Sequence, residues 1–163
     1  DRKIKKIKTE DLVKIIKSVK KKKFTKINSS TKVFQSLRIF VNQEISELIK
    51  GLINAYNLLP KGGIIVVITF HSIEDRIVKF FFKEYSEIKN SSRYLPEIIR
   101  NEKKFELLNK KPILPVKSEL TINPPSRSAK LRFAVKVGKN SNFQKLINKF
   151  SYLTEIENLA QKL

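Results

Sequence analysis

The chain has 163 residues, with 35 lysines and arginines against 15 aspartates and glutamates, a formal net charge of +20. Hydrophobic residues make up 40%, too many for a disordered chain. The lack of cysteine excludes disulfides, iron–sulfur clusters and cysteine nucleophiles, and a single histidine excludes a metal centre built on several imidazoles. No apolar run is long enough for a membrane span and no secretory signal is visible, so a reducing compartment, the cytoplasm first, is expected. Methionine is absent and the first residue is Asp1, which reads as a piece of something longer.

Thr9 opens a helix pattern, with Glu10 and Asp11 where the helix dipole favours acids. Leu12, Ile15, Ile16 and Val19 follow as one apolar stripe, the tract Lys20–Lys23 closes it, and Asn28–Thr31 reads as loop and cap. Phe34, Leu37, Val41, Ile45, Leu48, Leu52, Ala55 and Leu59 keep steps of three or four, which predicts one long helix stopped by Pro60-Lys61-Gly62-Gly63. Ile64–Phe70 is a β-branched run bounded by glycines, the pattern of a strand buried on both faces in a parallel sheet. Ser72 and Asp75 then fit a capping box, opening a helix over 73–86. Residues 87–104 read as loop with a short helix, and Phe105–Leu114 as a strand interrupted by Pro112. Pro124-Pro125 breaks the chain. Lys130–Val137 alternates apolar with mostly basic positions, the pattern of a strand with one wet face near a sheet edge. Ser141 and Gln144 fit another capping box, ahead of a terminal helix with Phe143, Leu146, Ile147, Phe150, Leu153, Ile156 and Ala160 on one side.

Residues 1–32 carry 13 basic and 3 acidic side chains, half of the net charge in a fifth of the chain. A polyanion, nucleic acid first, is the partner such a balance favours; coding bias that scatters lysines over solvated faces is the plainer account. Lysine outnumbers arginine 28 to 7, which supplies phosphate attraction without base reading.

Chemistry-bearing residues concentrate in Phe70-His71-Ser72-Ile73-Glu74-Asp75-Arg76, where a strand ends and a helix begins. A hydrolase triad does not fit: His71 and Ser72 are neighbours and the turn lacks Gly-x-Ser-x-Gly. One histidine with two helix-start acids is also a poor metal site, and no metal is expected. Asp75 reads as a helix-capping acid. His71 is either a hydrogen-bonded structural histidine or a contact to a substrate base or phosphate. Arg38 and Asn42, one helical turn apart, are either a buried clamp or part of a site, and Arg127, after two prolines, is either a salt-bridge partner or an anion clamp.

Taken together, four blocks resemble a known family. Phe34-Gln35-Ser36-Leu37-Arg38-Ile39-Phe40-Val41-Asn42-Gln43-Glu44 is similar to its TFQALRIAVNDEL helix, and Pro60-Lys61-Gly62-Gly63 to its APGG turn. Phe70–Lys79 resembles FHSLEDRIVK, and Asn123–Arg132 resembles NPRARSAKLR. The family is that of the MraW/RsmH-type methyltransferases, which move a methyl group from S-adenosylmethionine to the exocyclic N4 of a cytosine in small-subunit rRNA. The resemblance departs at Asn28-Ser29, where the family has His-Pro, and at Lys32-Val33, within the segment that reads Thr-Arg-Thr-Phe-Gln in the family. The glycine-rich loop, the acidic ribose-binding residue and the Asp-Leu-Gly motif of the family have no counterpart here.

The resemblance thus implies an α/β fold: the C-terminal half of a Rossmann-like class I methyltransferase, with part of a helical insert. Residues 1–26 would end that insert, 27–137 would form the C-terminal half of the core, and 138–163 would be a helical extension. It implies Phe70, His71 and Ser72 as substrate-pocket residues and Arg38, Asn42, Arg76, Arg127 and Lys130 as RNA contacts. S-adenosylmethionine would be the cofactor, with its main binding loop outside this chain. Small-subunit rRNA or the small ribosomal subunit would be the partner, with no membrane. The chain alone is expected to be inactive and unstable or oligomeric, through an exposed sheet edge or the C-terminal helix. The alternatives are a non-catalytic RNA-binding remnant or one half of a split enzyme.

Overall fold

The computed structural model describes residues 8–19, 29–87 and 102–159. The described chain divides into two compact units, one running to Glu44 and resuming at Ile156, the other spanning Ile45–Glu155. In the first unit, α1 (Thr9–Val19) packs on α2 (Ser29–Asn42). Asp11 caps α1 by accepting the Lys8 backbone N–H at 3.1 Å. Of its apolar stripe Ile16 is buried, while Ile15 and Val19 are exposed. Helix α2 takes in Ser29–Thr31, which the sequence suggested as loop, whereas Lys20–Lys23 and Asn28 lie outside the described residues.

The expected long helix is two helices. Gln43 adopts a left-handed backbone, φ 52°, ending α2 before α3 (Glu44–Leu58) begins. A periodicity of three and four survives such a break because only one residue leaves the helical conformation. Ile45, Ile49, Leu52 and Tyr56 of α3 are buried. The turn after it needs Gly62, whose φ is +87°.

The second unit is built on a three-stranded sheet ordered β1-β3-β2, with β1 Ile64–Thr69, β2 Phe105–Glu106 and β3 Lys130–Lys136. Both ladders are antiparallel, with Ile65 opposite Ala134, Thr69 opposite Lys130 and Phe105 opposite Lys136. Directly opposed residues share a face. One face therefore carries Ile65, Val67, Thr69, Phe105, Lys130, Arg132, Ala134 and Lys136, and α4 (Ser72–Ser86) packs on it. The other carries Ile64, Val66 and Ile68, which are 54–58% exposed, beside Leu131, Phe133 and Val135.

The described sheet differs from expectation, first in having antiparallel rather than parallel ladders. The run 64–70 is not buried on both faces: β1 is an edge strand among the described residues, and its odd apolar partners look outward with it. Nor is β3 an edge strand with a wet basic face. It is central, and its basic residues turn inward, because each meets oxygen atoms there. Lys136 is only 4% exposed, and its Nζ donates to Tyr56 O at 2.8 Å, Leu59 O at 2.7 Å and Asn140 Oδ1 at 2.7 Å. It thus takes up carbonyls at the C-terminal end of α3, which the helix itself leaves unpaired. Its ammonium also lies 4.5 Å from the centre of the Tyr56 ring.

The core beneath the covered face is aromatic. Phe105 and Phe143 each meet Tyr56 edge-on, with ring centres 5.0 and 4.8 Å away, and Phe81 touches both at 4.9 Å. Burial pushes the Tyr56 phenol up to about 12, with Glu102 adding to the shift. Only Phe105–Glu106 of the predicted strand 105–114 forms one, with Ile113 adding a lone bridge to Leu131. Two short helices were not legible, α5 (Lys117–Ile122) and a 3-10 turn over Pro124–Ser128. The last helix, α6 (Gln144–Leu159), lacks the predicted capping box: Gln144 turns to Asn148, and Tyr85 Oη accepts the Leu146 N–H at 3.0 Å instead. Gly138 lets β3 leave the sheet beside Lys103, whose carbonyl would stand 2.6 Å from any added Cβ.

Candidate functional site

The end of β1 sets the position of the candidate residues. Thr69 pairs with Lys130, so Phe70–Ser72 and Arg127–Ala129 both extend from the same end of the β1–β3 ladder. Phe70 projects there, 56% exposed, and Ser72 is exposed beside it. The next residue pattern explains the sharp turn into α4. His71 is the N-cap, with extended backbone angles of φ −137° and ψ 163°. Its Nδ1 accepts the Glu74 N–H at 3.3 Å, and Glu74 Oε2 accepts the N–H groups of Phe70 and His71 at 2.9 and 3.2 Å. The capping box is thus His71 with Glu74, one residue ahead of the predicted Ser72 with Asp75. A ring nitrogen replaces the hydroxyl that such a box usually supplies.

His71 is therefore committed locally. Its Nδ1 serves the cap, its Nε2 lies 3.1 Å from Glu74 Oε1, and the side chain is 9% exposed. The structural reading of His71 accounts for Nδ1. Phe70 and Ser72, held on either side of it, are the groups presented outward.

Asp75 does not cap α4. It reaches across to β3, where Arg132 Nε donates to Oδ1 at 2.8 Å and Lys130 Nζ to Oδ2 at 3.1 Å. Burial opposes the Asp75 charge, but the bonds and charges of Arg132 and Lys130 outweigh it and hold the carboxyl below its usual range. This cluster fixes the N-terminus of α4 to the strand beside β1, and so fixes the turn that carries Phe70, His71 and Ser72.

The RNA-contact candidates separate into groups. Lys130 spends its ammonium on Asp75. Arg76 and Arg127 are exposed and form no ion pair among the described residues, and Arg127 rides on the 3-10 turn whose buried Ser126 hydroxyl donates to Asn123 O at 2.8 Å. Arg38 and Asn42 belong to the first unit. They are exposed rather than a buried clamp, and both bind Glu44: Arg38 through Nε at 2.7 Å and Nη2 at 3.1 Å, Asn42 through Nδ2 at 3.3 Å. Sequence reasoning missed Arg132 and Lys136 as organising cations. Their even spacing with Lys130 was the available signal, read as a wet face.

No cradle for a nucleoside cofactor is found among the described residues. Gly51 lies in mid-α3, Gly62 and Gly63 serve the turn before β1, and Gly138 the exit from β3. None stands where a strand runs through a glycine loop into a helix N-terminus, the arrangement that receives a nucleotide. No helix among the described residues is long and apolar enough to cross a membrane.

Comparison with known proteins gives a consistent result. The profile of the MraW methylase family matches residues 1–137. The ribosomal RNA small subunit methyltransferase H of Rhodopseudomonas palustris (strain TIE-1) is 45% identical over 126 residues, 77% of this chain and 38% of that protein. Proteins of the same name from Afipia carboxidovorans and Sinorhizobium fredii are 41% and 43% identical, covering 82% and 78% of the chain. The chain spans about two fifths of the length of these relatives.

Proposed function

The chain belongs to the MraW methylase family, and from that premise we propose that it is the substrate-facing part of an S-adenosylmethionine-dependent rRNA methyltransferase. Its target is the exocyclic N4 of a cytosine in small-subunit rRNA. The observation that carries this reading is the turn at the end of β1. Phe70 and Ser72 are presented outward by a backbone pinned on both sides, through the His71–Glu74 box and the Asp75–Arg132 pair. A base taken out of its stack needs such a rigid aromatic and polar edge, because methyl transfer to an amine depends on alignment more than on a strong base.

In this reading β1 is the fifth strand of a Rossmann-like core, and β2 and β3 are its last strands. The cofactor, which supplies the methyl group, is held by residues outside the described ones. Phe70 packs on the base, Ser72 hydrogen-bonds beside it, and His71 holds the turn in shape. Arg76 and Arg127 meet rRNA phosphates, with Arg38, Asn42 and Lys130 as further contacts. The exposed apolar residues Ile64, Val66 and Ile68, on a strand whose outer edge is unpaired among the described residues, support a chain that works joined to the cofactor-binding part and that self-associates when alone. The cytoplasm is its proposed location.

The test is a chimaera in which this chain replaces the matching segment of the Rhodopseudomonas palustris relative. Supplied with labelled S-adenosylmethionine and small ribosomal subunits lacking the modification, the folded chimaera is expected to produce N4-methylcytidine on digestion of the rRNA. A folded chimaera that binds the cofactor and labels no cytosine contradicts the reading.

A further inference from the structure

Cations from three separate stretches of the second unit converge on one groove beside α4. Lys79 and Lys83 of α4, Lys103 and Lys110 from either side of β2, and Arg132 of β3 line a cavity of about 350 Å³, with Phe82 and Leu107 as apolar lining. An adjoining depression adds Arg76 and shares Lys79 and Lys83, so the cationic track follows the helix flank. Arg132 is already held by Asp75. The four lysines and Arg76 form no ion pair among the described residues. Against them stand Glu87 and Glu84, and Glu84 lies 3.6 Å from Lys145.

A plainer account assigns these lysines to the negative end of the helix dipole. That account covers Lys83, in the last turn of α4, but neither Lys79 nor the two lysines that come from the β2 segment. Arg76 to Lys83 spans about 10 Å of helix axis, further than one phosphate group reaches. Lysines act as point charges suited to phosphate oxygens, whereas planar carboxylates are matched better by arginine forks, of which the groove has one uncommitted.

We propose that this groove holds the sugar–phosphate backbone of the RNA substrate, apart from the turn that meets the base. The proposal rests on the reading that the substrate is RNA, and it assigns to Lys79, Lys83, Lys103 and Lys110 a role that binds without reading sequence.

The experiment titrates the full 163-residue chain into a short fluorescent single-stranded RNA and follows anisotropy between 50 and 200 mM salt. The triple substitution Lys79→Ala, Lys83→Ala, Lys110→Ala is expected to weaken binding about tenfold or more at the lower salt. It is also expected to reduce the slope of log K against log salt by about 2, since each single-strand contact contributes about 0.7. Replacing Lys61, Lys117 and Lys149 with alanine removes the same charge elsewhere and is expected to change affinity by less than about twofold. Arginine at positions 79, 83 and 110 is expected to restore binding. All three lysines are exposed, so their truncation leaves no cavity in the core. Equal losses in the two triple variants, or an unaltered groove variant, overturn the proposal. So does polyglutamate that displaces the RNA as well as unlabelled RNA of equal charge, an outcome that assigns the groove to an acidic protein. Methyl transfer is not measured here. An inactive chimaera therefore leaves this result standing, and a groove that fails to bind leaves the methylation reading standing.

Discussion

Asp75 is more than an acid at a helix start. Its two oxygens take one arginine and one lysine from β3, and its side chain and that of Arg132 are nearly buried. Asp75→Ala leaves the Arg132 charge without its partner and is expected to cost about 3 kcal/mol of stability, read from urea unfolding. The pH dependence has a definite sign. Because the folded-state carboxyl titrates below the ordinary value of about 3.9, its stabilisation is complete above about pH 4 and is lost as the pH falls through the folded-state value. Asp75→Asn is expected to flatten the acid limb of a plot of urea midpoint against pH. His71 poses a different question, since asparagine is also a good N-cap. His71→Asn in the chimaera is expected to keep both fold and methyl transfer, while His71→Ala is expected to lose about 1 kcal/mol of stability. Loss of turnover in a stable His71→Asn variant would instead assign the ring to the substrate. The sequence pointed to this seven-residue stretch as the site. It did not distinguish a Ser72–Asp75 box from His71–Glu74, because both pairs have the spacing that capping requires, and the choice rests on where the strand ends.

Elements were legible where periodicity alone decides them. The strand at 64–69 and the helices at 9–19 and 72–86 follow from apolar spacing and start signals. The break at Gln43 was not, since a single left-handed residue leaves the spacing of the flanking apolar residues nearly intact. The facing of β3 was misread for a physical reason: a basic residue counts as polar in an alternation pattern, yet it goes inward when carbonyls or a carboxylate wait for it. Lys136→Met keeps most of the buried stem and removes three hydrogen bonds. It is expected to destabilise the chain by about 2 kcal/mol, the cost of leaving buried carbonyls unpaired, and to lower the thermal midpoint. An unchanged midpoint would mean that the C-terminal end of α3 finds water instead.

Among the described residues of the second unit, the sheet is covered on one face only. Charge and aromatic packing close the α4 side, while Ile64, Val66 and Ile68 lie open on the other. Replacing these three by threonine keeps β-branched geometry and removes apolar surface. In the isolated chain the change is expected to alter unfolding free energy by less than about 0.5 kcal/mol per site and to reduce self-association in sedimentation. In the chimaera the same triple change is expected to destabilise, since on the proposed reading the cofactor-binding part covers this face. Composition and charge indicated a phosphate-rich partner but not where it would lie. Lys103 and Lys110 join Lys79 and Lys83 only through the fold, so the groove had no signature in the sequence.

If the end of β1 meets the substrate base, Phe70 is the residue to change, since its exposed ring carries little of the core. The measurement is the kcat/KM of the chimaera for small ribosomal subunits, taken with its affinity for S-adenosylmethionine, before and after Phe70→Ala. A fall in kcat/KM of at least about tenfold, equivalent to about 1.4 kcal/mol of transition-state stabilisation, is expected, with cofactor affinity and thermal midpoint unchanged. Full turnover in the variant would contradict it and move the base-binding edge elsewhere.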